Sequence, residues 1–188
     1  MKILSYLVVV ALFMGGCSYK NEALNLQSYK AEYAGPIVKE KKSVYLKVVK
    51  DTRLDKRSIG TNEKNGVIVA RLYSEVNFVD KYKDGLGYAL NMAGFSTDIK
   101  DDSASVTIEV TIKNIELTYN NKKFDSNLKG IIEIEVLVTK DGKVITQNFR
   151  QKGSTWIKPS FASKDLEPFL YTLFEDSINN IVAKLTLY

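Results

Sequence analysis

Histidine is missing from this chain of 188 residues, and cysteine and tryptophan occur once each. Without histidine neither a Ser-His-Asp nor a Cys-His arrangement can be assembled, and the commonest neutral metal ligand is gone. A lone cysteine closes no internal disulfide. Carboxylates would have to hold any metal, yet Asp101-Asp102, in a loop after Ile99, reads as a solvated turn rather than a calcium site. Glu133 and Glu135 share one strand face among lysines, which suits an exposed face as well as a two-carboxylate site. No enzyme, metal or cofactor is expected. The formal net charge of +5 is modest, and with no basic helix or RNA-binding motif, nucleic acid is not an expected partner. Repeats and low-complexity segments are absent, and the size suits one domain. Long hydrophobic runs are absent too: the best, residues 3–14, is interrupted by Ser5 and Tyr6. It falls short of the roughly 20 residues that a spanning helix requires.

That run is nevertheless informative because of what surrounds it. Met1-Lys2 supplies a positive start, and Gly15-Gly16 supplies small residues directly before the single cysteine, Cys17. This is the order of an export signal. An ordinary secretory signal would leave Cys17 as a free thiol. Phe13-Met14-Gly15-Gly16-Cys17 instead resembles the bacterial lipobox, with Met14 where leucine is usual. The resemblance implies a diacylglyceryl thioether on Cys17, usually with an added N-acyl chain such as palmitate. Two or more chains give stable attachment. Ser18 stands where an inner-membrane retention signal would place aspartate, which implies sorting to the outer membrane, on its periplasmic or its surface side. The chain thus divides into a lipoprotein signal peptide (1–16), a lipidated N-terminus and flexible tether (17–42) that is polar and broken by Gly35-Pro36, and one domain (43–188). Tyr19, Tyr29 and Tyr33 offer the tether an alternative, docking onto the domain.

Within the domain, residues 43–50 alternate Val44, Leu46 and Val48 against Tyr45 and Lys47, the period of a half-buried strand. Residues 54–66 are charged and contain Gly60, Asn62 and Asn65-Gly66, so a loop or wide hairpin is expected, followed by a short strand over 67–73. Val79, Tyr82, Leu86, Leu90 and Ala93 recur at helical spacing, with Gly94 as the C-terminal cap. Gly85 and Gly87 inside that helix read as close packing, since no phosphate-loop pattern accompanies them. Residues 105–120 place Val106, Ile108, Val110 and Ile112 on one face and then Ile115, Leu117 and Tyr119 on the other parity, which predicts a bulge near Lys113-Asn114. Ile132, Ile134, Val136 and Val138 alternate next, Asp141-Gly142 turns the chain, and a return strand runs to Trp156. Asp165 is placed to cap a last helix with Pro168 in its first turn. Its stripe of Leu166, Phe169, Leu170, Leu173, Phe174, Ile178, Ile181, Val182 and Leu185 reads as core. The fold class is therefore α+β: an antiparallel β-sheet with two helices packed on one face.

Two groups remain as possible binding residues. Asp51 and Arg53, two apart in an extended segment, point the same way and either fix the loop as an ion pair or meet a ligand. Trp156, Phe161 and Tyr171 flank the crossing from sheet to last helix and either line a groove or fill the core edge. The lipobox, Asp51-x-Arg53, Gly94-Phe95, the strand with Ile115-Glu116-Leu117-Thr118-Tyr119-Asn120-Asn121, the Asp141-Gly142 hairpin and the Phe161 to Asp165 approach to the last helix together resemble the YajG family of small bacterial lipoproteins. The resemblance implies address and fold and carries over no catalytic residue. The expectation is a lipid-anchored, non-enzymatic envelope protein that binds an envelope protein or an anionic polymer in assembly or surface attachment. The alternative is a carrier of a small apolar or lipid ligand.

Overall fold

The computed structural model describes residues 22–24, 26, 31–40, 42–98, 103–121 and 126–188. Cys17 with its signal, Tyr19, Tyr29 and Asp101-Asp102 lie outside the described residues. The chain runs β1 (Glu22–Leu24), β2 (Val44–Asp51), β3 (Ser58–Lys64), β4 (Val67–Ser74), α1 (Phe78–Met92), β5 (Val106–Asn120), β6 (Leu128–Lys140), β7 (Lys143–Thr155) and α2 (Glu167–Leu185).

The alternation in β5 and β6 dictates the centre of the sheet. Val106, Ile108, Val110 and Ile112, then Ile115, Leu117 and Tyr119, turn inward with Ile132, Ile134, Val136 and Val138 of β6, and all are buried. The change of parity is a β-bulge: Ile112 pairs with Ile134 and Asn114 with Glu133, leaving Lys113 as the extra residue. One inserted residue keeps both halves of a fifteen-residue strand facing the core. Asp141 and Gly142, at φ 51° and 72°, close the β6–β7 hairpin as a type I′ turn, the form whose twist matches antiparallel strands.

The sheet has seven strands in the order β1-β4-β3-β5-β6-β7, with β2 also on β5. It is mixed, not antiparallel as the sequence suggested. Pairs β1–β4, β2–β5 and β3–β5 are parallel. Alternation reports which side chains face the core but says nothing of strand direction, which the crossover through α1 sets. β2 and β3 follow one another along the same edge of β5, at Val106 to Ile112 and at Leu117 to Asn120. The chain leaves that edge where the Thr52 N–H bonds the Ile112 carbonyl, beside the bulge.

Of the loop or wide hairpin expected there, the hairpin forms, with β3 as its first strand. Its residues lack alternation, and the strand is set by its neighbours: Gly60, at φ 153°, lies so close to β5 that a Cβ would overlap the Leu117 carbonyl. Asn65 and Gly66, at φ 57° and 80°, close the β3–β4 hairpin. The tether also gives way in part. β1 pairs with β4, Leu24 and Leu26 are fully buried, and the Val38 N–H bonds the Ala93 carbonyl.

Both helices lie against the inner face, α1 over β2 and α2 over β6 and β7, and they touch each other. Tyr82 of α1 packs on Phe174 of α2 with centroids 4.1 Å apart, and its hydroxyl meets Ser177. α1 starts at Asn77, whose Oδ1 accepts the Val79 and Asp80 N–H groups, and ends at Gly94 with φ 90°. Gly85 is buried, but a Cβ on Gly87 would meet nothing, so close packing accounts for only one of the two. α2 approaches the sheet over paired Gly130 and Gly153, where Leu173 and Phe169 occupy the space that side chains would take.

Candidate functional site

Asp51 and Arg53 form a buried ion pair, each side chain 5% exposed, with Nη2 to Oδ2 at 2.8 Å. The guanidinium also donates to the Ser58 and Lys56 carbonyls, and it lies 5.1 Å from the Phe78 ring centre. All of these contacts stay within the β2–β3 crossing and the start of α1. The geometry is that of a clamp on the crossing, with a shallow groove of about 420 Å3 opening beside Asp51 toward residues 74–79.

Trp156, Phe161 and Tyr171 gather around the start of α2 without forming one surface. Trp156 is 52% exposed. Phe161 packs on Tyr119 with ring centres 4.5 Å apart and planes tilted by 57°. Tyr171 borders a hollow of about 430 Å3 with Leu26, Lys164, Glu167, Pro168 and Thr172. On the other side of Pro168 and Thr172 lies a groove of about 450 Å3 between the end of β7 and α2. Ile157, Phe169 and Leu173 give it an apolar floor, and Ser154, Thr155, Asp165 and Asp176 a polar rim. Asp165 does not cap α2, whose N-cap is Leu166 with no side-chain bond. Its carboxylate turns back to accept the Ala162 N–H at 2.8 Å, and that bond, with Lys158 nearby, holds it below the usual carboxylate range. The Gln151 amide of β7 donates to Asp176 of α2 at 3.1 Å. Sequence reasoning missed the glycines at 130 and 153 and the double role of Phe169 and Leu173, which it assigned to core alone. Two glycines opposite each other across β6–β7 are a visible signal only once the hairpin register is counted back from Asp141-Gly142.

This arrangement can hold a chain or an apolar group. Glu133 pairs with Arg150 at 2.9 Å and Glu135 with Lys113 at 3.0 Å, so the two carboxylates are separately neutralised on the outer face. Among the described residues no three of His, Cys, Asp or Glu cluster as metal ligands.

Residues 36–187 match a family described as uncharacterized lipoprotein. The chain belongs to that family. No curated protein matches the lipoprotein. Its fold is similar to a crystal structure of a Xanthomonas campestris protein, at 12% identity and TM-score 0.54, covering 88% of this chain and 91% of that one. A second similar structure, of an uncharacterized protein, has 14% identity and TM-score 0.51 over 88% and 99%. A hypothetical protein of Chlamydia trachomatis has 9% identity and TM-score 0.49 over 79% and 100%. The first two likenesses concern fold alone. The family agrees with the small bacterial lipoprotein read from the sequence and with attachment to a membrane. No helix among the described residues of the lipoprotein is long and apolar enough to cross one.

Proposed function

We propose that this lipoprotein is a non-enzymatic, outer-membrane-anchored binding protein, attached through lipid on Cys17, whose β7 edge receives an extended, acidic segment of an envelope protein. The observation that carries the reading is the edge itself. β7 is thirteen residues long and ends the order of paired strands. Such an edge is a template for strand addition unless it is short, bulged or covered, and β7 shows no register shift against β6. It carries Lys143 and Lys152, with Arg150 already paired to Glu133, and no acidic residue, which favours an acidic partner and supplies repulsion against self-pairing. The groove at its end, floored by Phe169 and Leu173, would take an apolar side chain of the same segment.

A photo-crosslinking residue at Thr146 or Lys152, compared with one at Tyr88 on α1, tests this in intact cells. Discrete adducts from the two β7 positions and none from Tyr88 support the reading; identical adduct patterns from all three defeat it. Capture of an anionic polymer instead of a protein would replace the partner class. Palmitate labelling that depends on Cys17 and follows the outer membrane tests the address. The groove, at about 450 Å3 and apolar-floored, also supports the carrier reading. Native mass spectrometry of the chain from Ser18 decides that, because a clean apo mass removes it.

A further inference from the structure

The sequence gives the lipid attachment point, and the structure gives the point at which the chain enters the fold. Only residues 18–21 separate Cys17 from Glu22, which is paired with Leu72 of β4. Five residue steps span at most about 18 Å. The leash is therefore short against the molecule it holds, and the domain has little freedom to stand off a bilayer.

Direction follows from register. β1 is parallel to β4, so the N-terminal end of β1 faces the lower-numbered end of β4, where Asn65 and Gly66 turn the β3–β4 hairpin. From Leu72 back to Val67 is again five residues, about 17 Å of strand. The hairpin tip therefore lies within the reach of the five residue steps to Cys17.

That end of the molecule has a distinctive surface. Val67 is 63% and Ile68 52% exposed beside the turn, although β4 turns Leu72 into the core. Ile68 pairs with Glu63 and Glu63 with Asn120, while Tyr119 pairs with Leu128 and Leu128 with Thr155. Trp156, the next residue and the only tryptophan, lies on the same row and is 52% exposed. Lys64, Lys129 and Lys164 are exposed at this end, as is Lys158, which pairs with Asp165. Tryptophan and aliphatic residues among lysines are what a lipid headgroup layer accepts. The opposite end carries the Asp141-Gly142 turn and the C-terminal Tyr188, whose carbonyl meets Lys140.

We propose that the short leash seats this end of the sheet, with Val67, Ile68 and Trp156, in the headgroup layer of the membrane that Cys17 anchors, strands rising from the surface. The proposal rests on the lipid-anchored reading above. It leaves the Asp141-Gly142 end of β7 directed away from the bilayer.

Trp156 reports on this without a label. The full lipidated protein is reconstituted in vesicles of phosphatidylethanolamine and phosphatidylglycerol, with acyl chains brominated next to the headgroup. Interfacial seating predicts a blue-shifted Trp156 emission reduced roughly twofold by bromine. The variant W156F/L187W moves the reporter to Leu187, 75% exposed beside the C-terminus, and its emission should be unaffected. Flotation of the vesicles separates the two ideas. Wild type that floats with Trp156 unquenched, or with both reporters quenched alike, overturns the orientation and spares the anchor. Wild type that fails to float, like C17S, overturns both.

Discussion

At Arg53 a guanidinium is taken out of water and given partners for four of its five N–H groups, the Asp51 carboxylate and two carbonyls, with the Phe78 ring nearby. A buried ion pair of this kind is weak evidence for net stability, but breaking it from one side is expensive. R53A should lower unfolding stability by about 3–5 kcal/mol, because Asp51 keeps its buried charge. The double variant D51L/R53M removes both charges and should recover most of that loss in urea denaturation. A double variant as unstable as R53A would mean that the carbonyl bonds, not the charge pair, carry the clamp. The pair itself was legible from two residues of spacing. Its burial was not, because that depends on Phe78, twenty-five positions downstream in a helix whose N-cap, Asn77, sequence periodicity did not single out.

Elements show the same division between local pattern and distant partner. The bulge at Lys113 was legible because hydrophobic parity is written within one strand. The β3 strand was not, since Gly60 is extended only by contact with Leu117 of β5. Likewise α2 was visible from its stripe, while the reason it lies so near the sheet is the Gly130–Gly153 pair. G130V should force Leu173 and Phe169 outward, costing about 1–3 kcal/mol and widening the groove at the end of β7. Near-UV circular dichroism and thermal melting would register it, and an unchanged melt would mean that α2 shifts freely. Glu175 of α2 adds a pH signature. Burial first, then Glu32 and Asp176, push its carboxyl up. An acid raised in the fold favours its protonated form there, so its contribution is best below the ordinary carboxylate range and declines as pH rises through the raised value. E175Q should therefore stabilise at neutral pH, by no more than about 0.5 kcal/mol given solvent screening. The gain should vanish below the ordinary carboxylate range; a gain that persists there would assign it to packing.

For the whole molecule the decisive feature is that the N-terminal segment belongs to the fold. Its few residues have no period to read, and Leu24 and Leu26 are buried only because β4 and the turn before α2 receive them. A polar stretch with scattered leucines therefore passes for a tether. Fully burying a leucine contributes about 1.5–3 kcal/mol, and removing the residue leaves an unfilled site as well. Two such leucines represent a large part of the roughly 5–15 kcal/mol by which ordinary domains are stable. A chain cut to residues 43–188 should consequently unfold at a much lower urea concentration than one spanning 18–188, and L24A alone should cost about 2–5 kcal/mol. If the two chains share a midpoint, β1 is a passive passenger and the domain can swing on its full tether. If the shorter chain is marginal, the N-terminal end is mechanically continuous with the sheet, and a pull on an anchor at Cys17 would be a pull on β4.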